Sequence, residues 1–404
     1  MAQDKDRKNL NVPPLRFPGF TDEWKKTTLG ELGDTMIGLT YSPKDVVETG
    51  GTIVFRSSNI QGGMIDYLDL VRVSKPIKER IVTKKNDILI CARNGSQRLI
   101  GKNTLLKESD AGNTFGAFMM VYRSEDNDIV HPLLSTKRYI SQVSENLGAR
   151  INQITTSDLN SFEFYLPQES EEKRKIGRLF ALINERIATQ NKIIEDLKKL
   201  KSAISKHLFS RGDLFETTIC LSDIATLKNG YAFQSSNYNA VGKWKILTIS
   251  NVTGERYIND ENCNSILNLP NDIQYYQILK DCDILISLTG NVGRVSLCKA
   301  GKYLLNQRVG LLHIADNINQ EFLYQVISSK HFENSMIACS QGAAQMNIGK
   351  GDVESYVLPY SSNAINIRLV AKILHSYDEC SINELRRLSM LTMQKQYLLT
   401  QMFI

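Results

Sequence analysis

The chain has 404 residues, 42% of them hydrophobic and 23% charged, which is an ordinary soluble composition with room for two or three domains. No apolar run approaches the roughly 18–20 residues of a membrane span, and the charged opening MAQDKDRKNLNVPP lacks the apolar core of a signal peptide. A cytoplasmic protein with no membrane contact is expected. The seven cysteines are odd in number, scattered and free of any Cys-x-x-Cys pair, which suits neither a zinc site nor a disulfide framework. The net charge of +6 is unevenly divided. Residues 1–212 hold 33 Lys and Arg against 26 Asp and Glu, whereas residues 213–404 hold 16 against 17. Lysine and arginine supply most phosphate contacts in DNA binders, so the charge permits DNA binding without requiring it. If the second half binds DNA, it does so with a local patch or with polar groups.

In chain order, residues 1–23 read as an N-terminal extension. Residues 24–165 carry short apolar runs, among them Thr52–Phe55, Asp87–Cys91 and Phe118–Tyr122, separated by turns such as Gln61-Gly62-Gly63 and Asn94-Gly95-Ser96. This alternation predicts strands and turns. One helical stretch follows at about 132–146, ended by Gly148. The unit is therefore α+β with a mostly β body.

Residues 166–212 change character. From Glu169 to Phe209 there is no proline and only one glycine, Gly177. Apolar residues recur in steps of four and three at Ile176, Phe180, Ile183, Ile187, Ile194, Leu197, Ile204 and Leu208, with only Gln190 and Lys201 polar in that series. Such a heptad seam predicts a coiled-coil helix. About 40 residues of helix span roughly 60 Å, and one helix alone cannot bury its apolar stripe.

The same order then repeats after about 194 residues. Asp87-Ile88-Leu89-Ile90 returns as Asp283-Ile284-Leu285-Ile286, and Ser58-Asn59-Ile60 as Ser250-Asn251-Val252. Gly148-Ala149 returns as Gly342-Ala343, Asp158-Leu159 as Asp352-Val353, and Leu166-Pro167 as Leu358-Pro359. Lys206-His207-Leu208-Phe209 is matched by Thr400-Gln401-Met402-Phe403. The period far exceeds that of solenoid repeats, so each copy is domain-sized. Residues 213–357 form a second body and 358–404 a second helix, whose seam runs through Val370, Leu374, Tyr377, Leu388, Leu391, Leu398 and Met402, with Lys395 in the slot of Lys201. The natural partner of the first helix is the second. Antiparallel pairing, the pseudo-two-fold arrangement that a duplicated chain favours, would put the two bodies at opposite ends. Parallel pairing would set them side by side. A lysine in the seam lowers stability but fixes register, or faces a partner subunit.

This order of body, long helix, body, long helix resembles the specificity subunit of type I restriction–modification enzymes. The opening Val12-Pro13-Pro14-Leu15-Arg16-Phe17-Pro18-Gly19-Phe20 followed by Trp24 is similar to that of many bacterial members. So are Leu29-Gly30-Glu31-Leu32, mirrored at Leu221-Ser222-Asp223-Ile224, and the Asp-Ile-Leu-Ile run with its glycine-bearing loop. The resemblance implies two target recognition domains, each reading one half of a bipartite double-stranded DNA site. It implies two helical spacers that set the gap between the half-sites and dock two methyltransferase subunits, with two restriction subunits added in the full complex. It also implies that S-adenosylmethionine, ATP and Mg²⁺ belong to those partners and that this chain holds no cofactor. The helix positions expected to serve the docking are Ile176, Phe180, Ile183, Ile187, Ile194, Leu197, Lys201, Leu374, Leu388, Leu391, Lys395 and Leu398.

Base edges are read by forked donors and amides, and phosphates by cations and hydroxyls. Loops at strand ends can project such groups. In the first body the loop 92–98 offers Arg93, Asn94, Ser96, Gln97 and Arg98; its counterpart offers Asn291 and Arg294. A second loop pair offers Arg150, Asn152 and Gln153, matched by Gln345, Asn347 and Lys350. Arg56 with Asn59, matched by Thr248 with Asn251, is a third. The bland alternative for each is a solvated turn. Charge runs such as Glu171–Lys175 and Lys198–Lys201 read first as solvated helix faces, with DNA backbone contact as the sharper alternative.

No catalytic chemistry is evident. There is no G-x-x-x-x-G-K-[ST] loop and no Asn-Pro-Pro-aromatic or Asp-Pro-Pro-aromatic tetrapeptide of the amino-methyltransferase kind. The five histidines have no metal-ligand spacing to one another or to cysteine. A non-catalytic chain is expected. The competing readings are a single-chain methyltransferase or nuclease with an unrecognised site, and a non-DNA coiled-coil scaffold.

Overall fold

The computed structural model describes residues 11–147, 152–341 and 346–404. Packing groups the chain into two compact units, one of Met1–Asn191 with Arg386–Ile404 and one of Lys192–Leu385. The division runs through both long helices, because each half of a helix packs on a different body.

In the first unit, strand Lys25–Thr28 pairs antiparallel with Glu163–Leu166, so the body begins and ends in one ribbon. Between them lie two four-stranded sheets. One has the order Asp34–Ile37, Met119–Arg123, Ile88–Cys91, Asn103–Leu105; the other has the order Thr114–Phe115, Thr52–Phe55, Val71–Val73, Val46–Val47. The run Ile88-Leu89-Ile90-Cys91 is wholly buried because its strand is central and covered on both faces. Ile88 and Ile90 pack with Met120, Tyr122 and the helices, while Leu89 and Cys91 pack with Phe55, Phe115 and Val121 on the opposite side. Period-two alternation thus serves two cores from one strand. The Gly62-Gly63 pair, at φ +56° and +77°, closes the hairpin Ile60–Gln61 with Met64–Ile65, a two-residue turn needing left-handed backbone at both positions.

The single helix expected at 132–146 is two helices, Asn127–Leu133 and Lys137–Leu147. The break at residues 134–136 follows Pro132, and Thr136 fastens it. Its hydroxyl donates to the Leu133 carbonyl (2.7 Å) and accepts from the Tyr139 N–H (3.4 Å).

The second unit repeats this plan. Ribbon Thr217–Cys220 with Val357–Tyr360, sheet Ala225–Asn229, Val309–Ile314, Ile284–Ser287, Val295–Leu297, and helices Gln320–Ile327 and Lys330–Cys339 occupy the corresponding places. Ile284 and Ile286 again face one core and Leu285 another.

Several matched residues of the repeat are turn fasteners, while Gly148-Ala149 and Gly342-Ala343 lie outside the described residues. Asn59 Oδ1 accepts from the Arg56 N–H and Asn251 Oδ1 from the Thr248 N–H, both at 2.8 Å. Asp87 accepts from the Lys84 N–H (2.8 Å), and Asp283 from the Lys280 N–H (2.7 Å). Asp158 and Asp352 do the same at the starts of short helices, accepting from the N–H groups of Thr155 and Gly349.

The long helices are Ser170–Phe209 (40 residues) and Ala364–Met402 (39 residues). In the first unit the start of one meets the end of the other. Ile176 and Phe180, each 1% exposed, pack with Leu399, Met402 and Phe403, and the Phe180 and Phe403 rings lie 5.5 Å apart. In the second unit Leu208 packs with Val370 and Leu374, and Lys201 Nζ sits 2.6 Å from Asp378. Pairing is antiparallel in each.

The two seam lysines differ. Lys201 belongs to an ionic cluster, whereas Lys395 is half-buried and desolvation lowers its pKa. Near it, burial first and the Lys395 charge second push the His131 imidazole down to about 4. A free imidazole takes its proton near pH 6.5, so on acidification the unfolded chain protonates before the folded one. The associated stability stands in full above about pH 6.5 and drains away as pH falls toward 4. In His131→Gln, the stability of the first unit in urea should fall less between pH 7 and 4.5 than in the unmodified chain, by on the order of 2 kcal/mol. An unchanged pH profile would contradict it.

Candidate nucleic-acid interface

In the first unit the structure brings two of the three predicted loops edge to edge. Arg93 and Gln153 form an antiparallel bridge, and the Ile154 N–H donates to the Ala92 carbonyl (2.9 Å). Asn152, at φ +38°, donates its side-chain amide to the Gly95 carbonyl (3.2 Å). The N–H groups of both Ala92 and Arg93 donate to the Phe118 carbonyl at 3.0 Å. The Arg93 guanidinium lies 5.2 Å over the Phe118 ring, which is 59% exposed. Asn94 works inside the loop, donating to the Ser57 hydroxyl (3.0 Å) and accepting from the Ser96 N–H (2.9 Å). Arg93, Ser96, Gln97 and Arg98 are exposed, while Asn152 and Gln153 are half-buried. Arg150 lies outside the described residues.

The second unit builds the same junction from other side chains. Thr289 bridges Asn347, the Gly290 N–H donates to the Met346 carbonyl (3.0 Å), and the Ile348 N–H to the Leu288 carbonyl (2.9 Å). The Leu288 N–H donates to the Arg308 carbonyl (3.0 Å). Exposed Arg308 thus stands where the first unit has Phe118. Asn291 and Asn347 are exposed. Arg294 is half-buried, with Nε 3.8 Å from Glu333, and exposed Lys350 reaches Glu354 at 3.7 Å. Gln345 lies outside the described residues.

In the third pair the two asparagines are corrected. Asn59 is 1% and Asn251 3% exposed, and their amides hold loops: Asn59 Nδ2 donates to the Asp66 and Asp69 carbonyls, and Asn251 Nδ2 to the Asn259 carbonyl. No edge is left for a base. Arg56 is tied to Asp69, Nη2 to carboxylate, at 2.8 Å.

Of the helix positions named for docking, five are corrected. Ile176, Phe180 and Leu374 are buried by packing within their own unit, and Ile183 and Ile194 are buried as well, so none of the five offers a face to a second chain. Ile187, Leu197, Lys201, Leu388, Leu391, Lys395 and Leu398 are half-buried. The apolar residues that do face outward on the helices include Leu182, Met390, Met393 and Tyr397.

Phe118 and Arg308 were missed because strand pairing, not sequence proximity, sets them beside the loops. Following the repeat one strand further, to Met119–Arg123 and Val309–Ile314, would have found them.

The junctions offer cations, amides and an aromatic face, which can bind bases and phosphates. Burial raises the Cys91 thiol to about 11 and Cys298 to about 12, so neither supplies a thiolate. Among the described residues, no group of three or more His, Cys, Asp or Glu could hold a metal ion, and no helix is long and apolar enough to cross a membrane.

This duplicated framework with exposed loop junctions matches a known family twice. Residues 21–199 and 215–392 each match the type I restriction modification DNA specificity domain, and the chain belongs to that family. It is 25% identical over 351 residues to the type I restriction enzyme EcoKI specificity subunit of Escherichia coli (strain K12), covering 79% of this chain and 75% of that one. It is 25% identical over 307 residues to the MjaVIII specificity subunit of Methanocaldococcus jannaschii, covering 67% and 68%. The crystal structure of the type I restriction–modification S subunit from M. genitalium shares the fold, with a TM-score of 0.60 at 19% identity over 97% of this chain and 99% of that one.

Proposed function

We propose that this chain is the non-catalytic DNA-recognition subunit of a type I restriction–modification complex and reads a bipartite double-stranded target, one half-site per body. One observation carries the reading. Both bodies fix the same loop junction through the same backbone bonds, yet present different side chains on it: Arg93, Gln97, Arg98 and Phe118 on one, Asn291, Asn347 and Arg308 on the other. A constant frame with variable tips is what two half-sites of different sequence require.

In this reading the chain works in the cytoplasm and docks two methyltransferase subunits along its helices, with two restriction subunits joining in the full complex. S-adenosylmethionine, ATP and Mg²⁺ are held by those partners.

The test is an exchange. Residues 25–166, bounded by the two strands of the closing ribbon, are replaced by the matching body of a relative, and genomic methylation is mapped. One half of the methylated sequence should change, with the other half and the spacing kept. A change in both halves together would refute the assignment.

A further inference from the structure

We propose that a cleft on the first unit, separate from the loop junction, seats the sugar–phosphate backbone of the DNA and makes the first half-site the salt-sensitive one. The proposal rests on the DNA-recognition reading above. The cleft encloses about 560 Å³ between the edge strand Asp34–Ile37 with its continuation to Thr40, and the segment 75–81, with Thr156 at one end. Lys75, Lys78 and Arg80 line it, all exposed, and no acid does. Lys75 Nζ donates to the Thr40 carbonyl (3.1 Å), which fixes its ammonium across the opening. None of the three forms an ion pair with a carboxylate among the described residues. Thr40 and Thr156 line the cleft as well, residues whose hydroxyls are suited to phosphate oxygens.

The cleft adjoins the reading loops. Leu39 bridges Gly116, and its N–H donates to the Phe115 carbonyl (2.7 Å), three residues from Phe118. Thr156 follows Gln153 by three residues. A strand whose bases meet the junction therefore has its backbone beside these cations.

The matching segment of the second unit lacks these cations, although its edge strand Ala225–Asn229 carries Lys228. There the strand Asn264–Ile266 pairs as Val71–Val73 does, but the segment after it, residues 267–273, contains no Lys or Arg and one acid, Asp272, bonded to the Tyr231 hydroxyl at 2.7 Å. The excess of positive charge in residues 1–212 is thus partly concentrated at one cleft.

Each cation that neutralises a phosphate adds about 0.9 to the slope of log affinity against log salt. The experiment titrates the chain, assembled with its methyltransferase partners, onto a fluorescent duplex carrying the methylation-mapped target across a series of salt concentrations. The triple variant Lys75→Gln, Lys78→Gln, Arg80→Gln should shed about 2–3 of that slope and leave the methylated sequence unchanged. The charge-conserving Lys75→Arg, Lys78→Arg, Arg80→Lys should keep it. If the unmodified chain binds and the triple variant retains the full slope, or the charge-conserving variant loses it, the cleft is no phosphate seat. If the unmodified assembly binds no target at all, the recognition reading itself fails.

Discussion

Replacing Asp378 by alanine should destabilise the second unit by about 3–5 kcal/mol, the range for breaking a buried ion pair by removing one partner. Asp378 is 8% exposed and sits at the centre of a charged cluster. Oδ1 accepts from Lys201 Nζ (2.6 Å), and Oδ2 accepts from Arg256 Nη1 (3.0 Å) and Gln325 Nε2 (2.7 Å). Arg256, itself 9% exposed, is held on its other side by both oxygens of Glu321 and lies 5.0 Å over the Tyr324 ring. Two cations face two carboxylates. Alanine at 378 leaves buried Arg256 and half-buried Lys201 facing Glu321 alone, an excess of positive charge largely shielded from water. The double replacement Asp378→Leu with Lys201→Met keeps Arg256 with Glu321 and removes a matched pair, so it should recover most of the loss. Urea unfolding of both variants measures this. A loss below about 1 kcal/mol for the single variant would mean that the cluster is hydrated.

Phe180→Ala should cost the first unit a similar amount, about 3–5 kcal/mol. The ring is 1% exposed and packs on Phe403, the residue that follows the second helix, and on the core of the body. Three elements therefore lose contacts at one stroke, and none can close on the gap without leaving the others. Phe180→Leu, which keeps most of the volume, should cost less than about 1.5 kcal/mol. Equal urea midpoints for the alanine and leucine variants would show that the junction collapses around the space.

The framework was legible because its repeated residues obey local rules. Asn59, Asn251, Asp87, Asp283, Asp158 and Asp352 each accept a backbone N–H three residues away, a bond that few side chains can make. Such positions keep their identity while the surface changes, so they surfaced as the matches of the repeat. The same fact misled the site reading: Asn59 and Asn251 look like base readers in sequence and are fasteners in space. The heptad seam was legible from its period, and its burial follows from it. What stayed hidden depends on distant partners. Arg256 and Asp378 are 122 residues apart, and Phe118 comes to Arg93 through strand pairing. The helix break at 134–136 follows Pro132 and is fastened by the Thr136 hydroxyl, whose role is local but whose letter is common.

The compact units part company with the repeat along the chain, since each takes in a stretch from both helices. A polypeptide ending near residue 212 would own one full copy of the repeat and still lack Leu399, Met402 and Phe403, which shelter Ile176 and Phe180. Genetic halves of this molecule are not physical halves: severed at its point of duplication, it would yield a fragment with a bare greasy flank.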